Sequence, residues 1–181
     1  MTQILFTNAR VFDGKNAECP EGMNVLLADG RIQEVSAKPV AASGARTIDV
    51  GGRTLMPGLI DAHTHAYASD VAVGRIEALG APYRTAHGVR MLGHALDYGF
   101  TTVRDAGGGD YSLAKAIADG LVRAPRFYYA GKVLSMTGGH GDFRPIEEGP
   151  DEGATCACSA TNSFCILADG VDACIRGARE I

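Results

Sequence analysis

The stretch Leu55-Met56-Pro57-Gly58-Leu59-Ile60-Asp61-Ala62-His63-Thr64-His65 constrains this chain more than any other. It is an apolar run of strand character that ends in two histidines spaced i, i+2. Successive side chains of a strand point to opposite faces, so His63 and His65 point the same way. Two imidazoles on one face at a strand end can both reach one metal ion, and histidine nitrogen suits zinc and other divalent transition metals. A bare His-x-His also occurs at exposed strand ends as two solvated rings, so the context must decide. Before the pair the sequence reads as short strands and turns. After it, helical stretches alternate with short apolar strands, the pattern of an α/β protein.

Composition removes several function classes. The chain has 181 residues, 46% of them hydrophobic, which is enough for a core and too many for disorder. Net charge is −4 with no run of like charges, so there is no electrostatic footprint for nucleic acid or an anionic membrane. The start, Met1-Thr2-Gln3-Ile4-Leu5-Phe6-Thr7, lacks a basic n-region and a long apolar run, and no segment is long enough to span a bilayer. Five cysteines, an odd number without an export signal, read as the reduced thiols of a cytoplasmic protein.

Residues 1–55 are expected to form a small β domain. Residues 4–12 are β-rich. Asn24–Ala28 and Arg31–Val35 flank Asp29-Gly30, a strong hairpin signal. Thr47–Val50 and Arg53–Met56 flank Gly51-Gly52, which predicts a second tight turn. Residues 56–181 are expected to form the second domain. Ala66–Asp70 reads as a loop. Ala86–Tyr98 reads as a helix with Val89, Leu92 and Leu96 on one stripe and Gly99 ending it. His87 and His94 lie two turns apart on that helix, too far for one metal, and are expected to be structural or exposed.

Phe100-Thr101-Thr102-Val103-Arg104-Asp105 reads as a strand, with Arg104 and Asp105 expected to pair and hold the following loop. Gly107-Gly108-Gly109 fits neither the Walker nor the dinucleotide pattern and is expected to be a plain loop, with Asp110 or Ser112 capping a helix over 111–122. Its apolar stripe is Leu113, Ile117 and Leu121. Arg126–Gly131 reads as a further strand. Leu134-Ser135-Met136-Thr137-Gly138-Gly139-His140-Gly141-Asp142-Phe143-Arg144 follows as a glycine-rich turn. Residues 144–165 read as a loop. Its Cys156-Ala157-Cys158 and Cys165 have no second pair at zinc-site spacing and are expected to be free thiols. Residues 168–180 begin another helix.

Four of these segments resemble one family. Pro57–His65 is similar to the "PGlIDxHxH" signature of the amidohydrolase superfamily of metal-dependent hydrolases. Phe100–Asp105 resembles its "GfTTvRD" segment. Leu134–Asp142 resembles the "lSxTGGHGD" pattern of the branch with Xaa-Pro and Xaa-Arg dipeptidases and ochratoxin-hydrolysing amidases, and Ala168–Glu180 resembles a helix of that branch. The resemblance implies a (β/α)8 TIM barrel whose first strand ends in the metal-binding pair His63 and His65, preceded by part of a β-sandwich. It also places His140 in the substrate pocket, where neighbouring glycines let the backbone bring the imidazole close to a ligand. A complete barrel needs about 250 residues. The chain is therefore expected to be an N-terminal fragment or truncated product holding three to four β/α units.

The activity implied is hydrolysis of an amide or peptide bond in a dipeptide or N-acyl amino acid by metal-activated hydroxide. The cofactor is one or two divalent ions, zinc first among them. The implied bridging carboxylated lysine, two further histidines and an aspartate base fall on later strands, so this chain alone is expected to be inactive. Two other readings stand beside it: a deaminase or cyclic-amide hydrolase on the same scaffold, and a non-catalytic scaffold or binding protein. The expected partner is a small amide or dipeptide, with no nucleic acid and no membrane. A homo-oligomer is compatible with everything above.

Overall fold

Extended apolar segments and glycine turns build the N-terminal part. The computed structural model describes residues 3–143 and 164–181, and it separates into two compact units, Met1–Pro57 and Gly58–Ile181. The first unit contains β1 (Gln3–Val11), β2 (Met23–Ala28), β3 (Arg31–Ser36), β4 (Arg46–Asp49) and β5 (Thr54–Leu55). They form one sheet in the order β3-β2-β1-β4, with β5 also paired to β1. The β2–β3 hairpin turns on Asp29 and Gly30 at φ 52° and 75°. Positive φ at both central residues is what a type I′ turn requires.

The second turn, at Gly51-Gly52, departs from a hairpin. β4 and β5 do not pair with each other; both run parallel to β1, at Ile4–Thr7 and at Arg10–Val11. They form one edge interrupted where Asn8 takes a left-handed conformation (φ 54°). Leu5, Ala9, Val25 and Ala28 are buried. An apolar trough of about 750 Å³, lined among others by Phe6, Phe12, Leu27 and Ile32, opens on the sheet.

The second unit is an α/β arrangement. β6 (Leu59–Thr64), β7 (Phe100–Asp105) and β8 (Arg126–Tyr129) are parallel, in that order. Parallel neighbours need a crossover. It is made by α1 (Val73–Glu77) and α2 (Ala81–Asp97) between the first two strands, and by α3 (Tyr111–Ala118) between the next two. Beyond β8 the chain runs into β9 (Val133–Ser135), which pairs in parallel with β10 (Cys165–Leu167), and α4 (Val171–Glu180) follows. The core of this unit gathers Ala66, Tyr67, Ile76, Leu92, Val103, Leu113 and Phe164. Among the described residues no helix is long and apolar enough to cross a membrane.

Several boundaries differ from the sequence pattern. α2 starts at Ala81, five residues early, because Pro82 sits in its first turn, where a missing N–H costs nothing. α3 ends at Ala118, and Leu121 is 77% exposed rather than on the buried stripe. α4 begins at Val171 rather than at residue 168. Cys165 lies buried on β10, not in a loop. Cys156 and Cys158, with Arg144 and the rest of 144–163, lie outside the described residues.

Close glycine contacts hold the layers together. A Cβ on Gly58 would sit 2.1 Å from the Thr101 hydroxyl of β7. A Cβ on Gly88 of α2 would lie 3.0 Å from the Ala66 carbonyl, and one on Gly177 of α4 would lie 2.6 Å from Leu134 of β9. These positions carry glycine because backbone and side chain meet there at contact distance.

Candidate active site

β6 delivers the histidine pair. Asp61 Oδ1 accepts a hydrogen bond from the His63 backbone N–H at 3.0 Å and fixes the last turn of the strand end. The His63 and His65 rings lie side by side, with centroids 5.2 Å apart and planes at 82°. His63 is exposed and His65 half-buried. His65 Nδ1 lies 3.0 Å from the Gly107 carbonyl oxygen. A carbonyl can only accept, so this contact assigns the proton to Nδ1 and leaves the lone pair on Nε2.

The loop after β7 supplies that carbonyl. It is built around Asp105, which is fully buried. Asp105 Oδ2 accepts from the Ala66 N–H at 2.6 Å, and Oδ1 accepts from the N–H groups of Gly107 and Gly109, each at 2.9 Å. Arg104, one residue earlier, takes the opposite face of the strand and donates from Nε to the Ala62 carbonyl at 2.8 Å. The expected Arg104–Asp105 ion pair is therefore replaced by two separate sets of backbone partners, because neighbours on a strand diverge. Asp110 caps α3 as expected, accepting from the Leu113 N–H at 2.9 Å. Its other oxygen receives the Tyr67 hydroxyl at 3.2 Å. Burial, and then the Asp110 charge, push the Tyr67 phenol up to about 12.

The loop after β9 carries His140. Gly138 N–H donates to Asp142 Oδ2 at 2.8 Å, Gly141 N–H donates to Ser135 Oγ at 3.1 Å, and Thr137 donates both its N–H and its hydroxyl to Asp169. His140 is exposed. It shares with His63 and His65 the lining of one cleft of about 670 Å³. The walls are largely apolar, including Val73, Ile76, Val133, Phe143 and Phe164. Ser69 lies in the same lining, and its buried hydroxyl has no partner among the described residues. Asp70 stands beside it, its carboxyl held below the usual range by the Ala72 N–H. His87 and His94 line no part of this cleft.

The sequence brings the three histidines forward and gives Asp105 a loop-holding role with the wrong partner, Arg104, while Ser69 and Phe164 pass unnoticed. Asp105 had a readable signal: an acid closing an apolar, β-branched strand must bury its charge, and three following glycines offer bare N–H groups to receive it. Ser69 and Phe164 had none, since their place in the lining depends on packing alone.

Residues 54–176 match the sequence profile of the Amidohydrolase family. The chain is 34% identical over 133 residues to the ochratoxinase of Aspergillus niger, a match that covers 69% of this chain and 28% of that protein. It superposes on the crystal structure of an amidohydrolase with a TM-score of 0.84 at 40% identity, over 99% of this chain and 44% of that one. A prolidase crystallised with N-methylphosphonate-L-proline gives a TM-score of 0.84 at 38% identity, over 99% and 43%. The chain thus spans less than half the length of these relatives. With the profile matched across most of its second unit, the chain is a member of the amidohydrolase family.

Proposed function

We propose that this chain carries the first metal-binding segment of a hydrolase that cleaves a carbon–nitrogen bond in a dipeptide or N-acyl amino acid. The observation that carries the reading is the pair His63 and His65, adjacent at a strand end, with the Nε2 lone pair of His65 left for a metal by the bond from Nδ1–H to the Gly107 carbonyl. A metal-binding imidazole commonly donates its other ring N–H to a carbonyl or carboxylate, so the pair fits a divalent ion. Zinc takes three or four protein ligands, and among the described residues no third His, Cys, Asp or Glu completes such a group. We assign the remaining ligands to parts of the protein outside the described residues.

A divalent ion, when bound, supplies Lewis acidity toward water and toward the scissile carbonyl. The chain's own residues orient the substrate and shape its surroundings. His65 is held in one tautomer, the apolar walls of the cleft take up the apolar part of a substrate and exclude water, and His140 is carried on a loop that lines the same space. We read β6–β10 as opening strands of a (β/α)8 barrel, which the extensive superposition on an amidohydrolase and a prolidase supports. The prolidase relative is crystallised with an N-substituted amino acid, which supports a substrate of that class here.

The test is metal content by elemental analysis after dialysis against zinc, with a His63→Ala/His65→Ala variant beside the parent. Two imidazoles hold zinc weakly, so the expected result is a partial zinc load on the parent, measured at equilibrium with the metal, that the variant lacks. Equal zinc in both overturns the reading.

A further inference from the structure

We propose that Asp105 is a positioning residue for the histidine pair, a buried carboxylate that holds His65 by its backbone and by its ring at the same time. The inference rests on the reading of His65 as a metal ligand, but its geometry stands apart from any metal. The Asp105 carboxylate bonds the Ala66 N–H, which belongs to the peptide bond leaving His65. It also bonds the N–H of Gly107, whose own carbonyl receives His65 Nδ1. The circuit is closed: one side chain fixes both the peptide after the imidazole and the acceptor that sets its tautomer. A third bond, from Gly109 N–H, closes the loop over the carboxylate.

The packing leaves this circuit no slack. A Cβ on Gly109 would stand 2.7 Å from Asp105 Cγ, one on Gly108 would stand 2.4 Å from the Phe164 ring, and one on Gly107 would stand 2.5 Å from Val133 Cγ1. The carboxylate is fully buried, and the partners that offset its desolvation are backbone dipoles. A carboxylate suits the place because it accepts on both oxygens. An amide of the same size has one acceptor and one donor, and the donor would face an N–H group.

The experiment compares the parent with Asp105→Asn and with Val103→Ala, a buried control on the same strand. The readouts are the His65 tautomer by nitrogen-15 correlation spectroscopy without metal, and zinc affinity by titration calorimetry. Asp105→Asn is expected to give a mixed tautomer and zinc binding weaker by about 10- to 100-fold, the range for outer partners of metal-binding histidines. Val103→Ala is expected to do neither. A single Nδ1–H tautomer with parent-like zinc affinity in Asp105→Asn overturns the proposal, as does an equal loss in both variants. A parent that binds no zinc while Asp105→Asn still scrambles the tautomer upholds the clamp and defeats the metal reading. If Asp105→Asn does not fold, the parent decides alone. A single tautomer with slow hydrogen exchange at Ala66, Gly107 and Gly109 upholds the clamp, and a mixed tautomer or fast exchange there overturns it.

Discussion

The glycine-rich loops after β7 and after β9 look alike in sequence and differ in the structure. Gly107, Gly108 and Gly109 are each in contact with a side chain that a Cβ would strike, and they wrap a buried carboxylate. The second loop is tight only at its base, where Gly139 and Gly141 meet Ser135 and Cys165. Its outer part, Thr137, Gly138 and His140, is exposed, and a Cβ on Gly138 would meet nothing. The first loop is a fixed support for the histidine pair, and the second presents an imidazole from a surface held by exposed bonds. The same residue type serves close packing in one and backbone shape in the other.

That comparison can be broken at its two glycines of positive φ. Gly108→Ala combines a left-handed backbone with a clash against Phe164. It should cost about 3 kcal/mol or more. Gly138→Ala carries the backbone penalty alone, about 1 kcal/mol. Urea unfolding of both variants measures the gap. Equal losses would mean that the first loop is no more rigid than the second.

A smaller effect is expected at Asp169, which receives both bonds from Thr137 in the exposed loop. Asp169→Ala should lower stability by about 1 kcal/mol, since exposed hydrogen bonds return to water. Measured by the same unfolding experiment, a loss as large as that of Gly108→Ala would show that the outer part of the loop is as closely fixed as the first.

The smallest effect concerns Tyr67, which ties the loop after β6 to Asp110, the residue that ends the first loop and caps α3. Its phenol is pushed up to about 12, against about 10 in an unfolded chain. A raised folded value means that the native state holds the proton more tightly, so this contribution is whole below about pH 10 and falls away as pH rises toward 12. Tyrosinate absorbance in the parent and in Asp110→Asn reads this directly. A parent phenol that titrates near 10 would remove the link.

The histidine pair was legible because strand alternation alone puts residues i and i+2 on one face. The hairpin at Asp29-Gly30 was legible because few residues accept positive φ twice in succession. The tight turn at Gly51-Gly52 was legible for the same reason, but which strand its flanks pair with was not: both run parallel to β1 rather than to each other. Arg104 and Asp105 were misread as a pair because adjacency in sequence hides their opposite directions on a strand.

By itself, then, the sequence determined the paired histidines at a strand end, the α/β alternation of the second unit and the family. Each follows from local periodicity or from a run of residues in fixed order. Only the tertiary structure decided that Asp105 is enclosed by the N–H groups of two loops, that Gly58, Gly88 and Gly177 mark contacts between layers, and that His140 lines one cleft with His63 and His65. Those facts join residues up to dozens of positions apart. They depend on packing distances, and no local pattern in the chain records them.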